Sequence, residues 1–187
     1  MNRKPRLPLA LLAVSSAALG TFAVIRSSTA TAADADYSPA ISVDEIMESM
    51  VMPSAQQLWD AVGVDVSEKG SIEKKPETDE QWAQLRAAAV TLVEATNALV
   101  VPGRHAAPAS KPASPEGSGE LGAAEIEALL AKERPAWVAH AQVLRATAMQ
   151  ALAAVDARDT DKISEVGGAI DEACESCHLQ FWYPDQK

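Results

Sequence analysis

The chain has 187 residues, 16 Lys and Arg against 26 Asp and Glu, a formal net charge of −10, and two cysteines. That length allows one domain with a real core. The negative charge argues against nucleic acid and anionic membrane surfaces as partners. Cys174 and Cys177 share one five-residue segment, so no disulfide framework can tie distant parts of the chain together.

The first 32 residues read as an export signal. Arg3, Lys4 and Arg6 give a basic start, Leu7 to Ile25 is almost entirely apolar and small, and Ala30-Thr31-Ala32 supplies the small-x-small pattern for cleavage after Ala32. The competing reading is an uncleaved membrane anchor, since the apolar run approaches a membrane span in length. No cysteine lies near the cleavage pattern to carry a lipid. Removal of the segment takes four basic residues and no acidic ones, leaving 12 basic against 26 acidic and a net charge of −14.

A polar lead over 33–41 precedes a helix start at Ser42-Val43-Asp44-Glu45, a Ser cap with Glu three residues on. Val43, Ile46, Met47, Met50, Val51, Leu58 and Val62 then recur at helical steps up to Gly63, with Pro53 set to kink or restart the helix. Residues 64–77, polar and broken by Gly70 and Pro76, read as a loop. A second helix opens near Thr78 or Asp79 with the stripe Trp82, Leu85, Ala89, Leu92, Thr96, Leu99. Residues 102–120 are rich in Pro, Gly, Ser and Ala and read as a long, exposed and mobile connection. A short helix is expected over 123–132. Pro135 then opens a third long helix with Trp137, Ala141, Leu144, Ala148, Leu152 and Val155 inward. Asp159 or Thr160 caps a fourth, with Ile163, Val166, Ile170, Ala173 and Cys177 inward and Pro184 as its stop. Four amphipathic helices with little strand signal predict an all-α fold, an antiparallel four-helix bundle over residues 42–187.

Cys174-Glu175-Ser176-Cys177-His178 carries the chemistry. Two thiols three residues apart on a helix point the same way and can each add to a vinyl group of one porphyrin, while His178, four residues after Cys174, can reach the iron as proximal ligand. One covalent haem is the implied cofactor. A thioredoxin-like dithiol would need a βαβ context, a zinc site would need four ligands, and a disulfide across two helical residues would be strained.

A four-helix bundle with Cys-x-x-Cys-His near the end of its last helix resembles the cytochrome c′ and cytochrome c-556 family of class II cytochromes. The resemblance covers residues 42–184. Its specific motif is Cys174 to Pro184, and Ile46-Met47-Glu48-Ser49-Met50 is similar to the place where family members face the far side of the haem. The resemblance implies a Met on the first helix as distal iron ligand in the c-556 type, and an apolar residue leaving five-coordinate, gas-binding iron in the c′ type. By its place one turn into the helix, Met47 is the expected distal ligand, with Met50 as alternative; the competing reading of both is core filler. Trp182 and Tyr183 follow the motif closely and are candidates to pack on the porphyrin. Arg86, Arg104 and Arg145 are candidate partners for its carboxylates, and the sequence does not choose among them. His140 reads as a hydrogen-bonded helix residue and His105 as solvated.

The expected function is electron transfer in the periplasm, with redox proteins as partners, no enzymatic activity, and a homodimer implied by resemblance alone. Two other readings stand beside it: binding of small gases such as NO or CO at five-coordinate iron, and a haem-free helical module acting by protein–protein contact.

Overall fold

The computed structural model describes residues 39–186 other than Lys69, Ser114 and Glu116. The expected export signal and most of the polar lead lie outside the described residues. The fold is mostly helical with one small sheet: α1 (Val43–Ile46), a π-helical segment (Met47–Val51), α2 (Met52–Ala61), β1 (Gly63–Ser67), β2 (Gly70–Lys74), α3 (Asp79–Leu99), α4 (Ala123–Lys132), α5 (Arg134–Asp156), α6 (Thr160–Phe181) and a 3₁₀ turn (Pro184–Gln186).

The first three helical segments run on without a break. Ser42 accepts from the Glu45 N–H at 3.2 Å, and the Glu45 carboxylate accepts from the Ser42 N–H at 2.8 Å, closing the capping box that the sequence signals. Met52 N–H bonds back to the Met47 carbonyl. That i→i−5 bond defines a π turn, a one-residue insertion met often at functional sites. Pro53, with no N–H to give, sits in the first turn of α2, where none is needed. The expected disturbance at Pro53 is thus met by a widened turn just before it.

α3 packs on α2 and α5, and α6 packs on α5 and α2. Arg86, two turns into α3, pairs with Asp156 at the end of α5, and Asp79, at the start of α3, pairs with Arg158 just past that end. These two helices therefore run in opposite directions. Glu133, just ahead of α5, bonds Gln180 near the end of α6, so that pair is opposed as well. The inward stripe of α3 is buried throughout, as are Ile163, Val166, Ile170, Ala173 and Cys177 of α6 and, save for half-buried Leu152, the stripe of α5. Phe181, fully buried, sits edge-on to Trp137 at 5.6 Å. Gly167 is the close-contact point of α2 on α6. Its carbonyl accepts from the Trp59 indole N–H at 2.9 Å, and a Cβ there would meet the Trp59 ring at 3.2 Å.

Residues 64–77 are not a plain loop. β1 and β2 form an antiparallel hairpin with Val64 opposite Glu73 and Val66 opposite Ser71. Every described residue of the hairpin is exposed. The connection after α3, expected to be mobile, is tied down at several points. The His105 and Ala106 carbonyls accept from the N–H groups of Val43 and Asp44, Lys111 pairs with Asp44, and Leu121 N–H donates to the Trp182 carbonyl at 2.9 Å. No helix among the described residues is long and apolar enough to cross a membrane.

Candidate functional site

The residues singled out in the sequence meet at one end of the helical assembly. α6 starts from Asp159, whose carboxylate accepts from Lys162 N–H at 2.9 Å, and runs unbroken to Phe181. That length places Cys174, Cys177 and His178 in its last two turns, on the side facing the first helix and α5. A small cavity there is lined by Met47 from the π turn, Leu99 from α3, Trp137, His140 and Leu144 from α5, and Cys174, Cys177 and His178 from α6. The side chains close around about 20 Å³ of space, room for one water at most. Any larger group seated there must displace some of these side chains.

Both cysteines are free thiols. Burial pushes the Cys174 thiol up to about 11, with the nearby Asp171 carboxylate adding to it. Burial pushes Cys177 further, to about 12, with Cys174 as the secondary cause. Burial also lowers His178, against the opposing pull of Glu175. The imidazole is therefore held neutral at neutral pH, the state in which it can donate a lone pair. The Trp182 ring packs on His178 at 5.9 Å and on Trp137 at 6.1 Å, linking the imidazole to the buried aromatic cluster around Phe181.

Of the two methionines that the sequence left open, Met47 lines the cavity. Met50 packs against the core, outside the cavity lining. Tyr183 touches the site through its backbone, its N–H donating to the His178 carbonyl at 2.9 Å. Arg86 is exposed and engaged with Asp156. His105 is exposed but bonded to Glu127 at 3.1 Å.

His140 is the residue that sequence reasoning undervalued. Its Nε2 lies 2.8 Å from Gln180 Oε1 and its Nδ1 3.3 Å from Ser176 Oγ, while Gln180 donates to Glu133 at 2.8 Å. It is hydrogen-bonded, as expected, and it also lines the cavity. Its spacing, three after Trp137 and four before Leu144, carried that signal.

One thioether, two thiols and two imidazoles around an apolar gap form a soft and borderline donor set, unsuited to a hard cation such as Mg²⁺ or Ca²⁺. Among the described residues, no three His, Cys, Asp or Glu side chains are grouped to hold a metal ion by themselves. Compared with protein-family models, curated proteins and solved structures, the chain matches none.

Proposed function

We propose that this protein is an exported, single-haem electron carrier whose helices form an antiparallel four-helix bundle of the cytochrome c′ and c-556 kind. The observation that carries the reading is the meeting of Met47, from the start of the described chain, with Cys174, Cys177 and His178, from its end, around one cavity. The motif alone requires only its own five residues. A soft sulfur donor presented across from it is what a six-coordinate haem iron needs in addition.

The donor chemistry suits that group. The two thiols would hold it through thioether bonds to its vinyl carbons, and His178 and Met47 would supply the axial nitrogen and sulfur. A haem so bound would supply one reversible electron at iron. The chain's residues do the rest. Trp182 packs on the His178 imidazole and orients it, burial keeps that imidazole neutral, and Leu99, Leu144 and Trp137 exclude water. Electron transfer in the periplasm with a redox protein as partner follows from this reading and from the export signal.

The test is ferrous holoprotein, made with the haem-attachment machinery present, exposed to CO. The account predicts a reversible one-electron redox couple and a low-spin ferrous spectrum unchanged by CO. Ready CO binding by the unmodified chain would favour the gas-binding reading instead.

A further inference from the structure

We infer that Arg104 and Arg134 form the receptor for the carboxylates of a tetrapyrrole seated against Cys174, Cys177 and His178, an inference that rests on the haem reading above. Leu99 and Trp137 have two sides. One lines the cavity of the thiols, and the other lines a second, larger cavity of about 510 Å³. The two spaces are thus separated by the same two side chains. The thiols line only the first, and the cationic groups line only the second.

The second cavity is built to receive an anion. The charged or titratable groups lining it are Arg104 and His105 from the connection after α3, Glu127 from α4 and Arg134 from α5. Glu127, the sole carboxylate among them, is already engaged by His105 and by the Ala106 N–H at 3.0 Å. Arg104 and Arg134 have no carboxylate partner among the described residues, in a chain with an excess of acid. Both are held in place by backbone instead. Arg104 Nε donates to the Ala98 carbonyl at 2.9 Å and its Nη1 to Ile41, and Arg134 donates to the Val100 carbonyl. These bonds tie Arg104 and Arg134 to carbonyls near the end of α3, and Arg104 also to the lead before α1, fixing the two planar groups before any ligand arrives. A guanidinium has five N–H donors, so each keeps several for an anion. A porphyrin attached through its vinyl edge presents its two carboxylates on the opposite edge, and displacement of Leu99 and Trp137 would join the thiol-lined space to the one lined by the two arginines.

The test uses the full chain with covalent haem, first shown by haem stain on a denaturing gel. Midpoint potentials are compared for wild type, Arg104→Gln with Arg134→Gln, and Arg104→Lys with Arg134→Lys. Gln keeps an N–H for the α3 carbonyls but loses the charge, and Lys keeps the charge. Two cations near the iron favour the ferrous state. Their loss is expected to shift the ferric–ferrous equilibrium about tenfold toward ferric, which is about 59 mV for one electron. Lys is expected to restore most of this, and Arg158→Gln, on the far end of α5, leaves it unchanged. A potential unmoved by the Gln pair, or moved equally by the Lys pair, overturns the inference and leaves the arginines as caps of α3. If the Gln pair does not fold, the single variants Arg104→Gln and Arg134→Gln take its place: a fall in potential that Lys at the same position restores supports the receptor, and a potential unmoved in both overturns it. A wild-type chain without covalent haem overturns the haem reading itself, a distinct result seen on the gel before any potential is measured.

Discussion

Met47→Leu is expected to abolish the Met–iron charge-transfer band of the ferric holoprotein and to let the ferrous form bind CO, while Met50→Leu leaves both properties as in wild type. The difference rests on the π turn. Up to Ile46 the helix is regular and fixed by the Ser42–Glu45 box, with Ile46 itself buried in the core. Met47 is the first residue of the widened turn and lines the cavity, whereas Met50 falls outside it. Leucine preserves bulk and apolar character, so the core around α1 keeps its packing at a cost below about 1.5 kcal/mol. What is lost is the sulfur, on the proposed reading the ligand that favours ferrous iron. The midpoint potential is therefore also expected to fall. An unchanged spectrum in Met47→Leu and in Met50→Leu would remove both methionines from the coordination sphere.

The haem-free protein is expected to lose stability in alkali through its two thiols. The sign follows from the direction of both shifts. Cys174 and Cys177 are raised to about 11 and about 12 in the folded chain, above their ordinary value of 9.0. Above that ordinary value the unfolded chain has already released both protons and the folded chain has not. Stability is thus fully present below about pH 9 and falls as pH rises through 11 and 12. At the alkaline limit the loss is on the order of 3 kcal/mol per thiol. Urea unfolding followed across this range checks it. Cys174→Ala with Cys177→Ala should flatten the slope, and an equal slope in that variant would show that other groups govern alkaline unfolding. The same burial makes the folded thiols poor nucleophiles, so alkylation is expected to be slower at buried Cys177 than at half-buried Cys174.

The long elements were legible because each combines a start signal, a cap for α3 and α6 and Pro135 for α5, with a sustained stripe. Thr78 accepts from Gln81 N–H at the head of α3, and the residues spaced from Trp82 to Leu99 are buried as their period requires. The short α4 falls at Ala123–Lys132, as its pattern indicates. The hairpin was hidden for a physical reason: its residues are exposed on both faces, so no core imposes a period on them. The signal present was the alternation Val64-Asp65-Val66 and a glycine, Gly70, at φ +121°, where a side chain would be strained. The preference for Met47 over Met50 came from the family resemblance and not from the helical period. A π turn adds a residue and shifts the phase of everything after it, so a regular helical period read through Val51 assigns both to one face. The anchoring of the connection after α3 depends on partners far along the chain, Asp44 and Trp182, which composition cannot reveal. At the site, the thiols and His178 were legible from spacing, and the inward place of His140 from its position between Trp137 and Leu144, while its bonds to Gln180 and Ser176 emerge only from the packing of α5 on α6.

The central claim is that Cys174 and Cys177 bind one haem covalently. The most direct measurement is a haem stain of the chain, expressed with the haem-attachment machinery, on a denaturing gel. The account predicts a band that stains for haem at the mass of this chain and disappears when both cysteines are replaced by alanine. A folded, unmodified chain that runs without stain would contradict it.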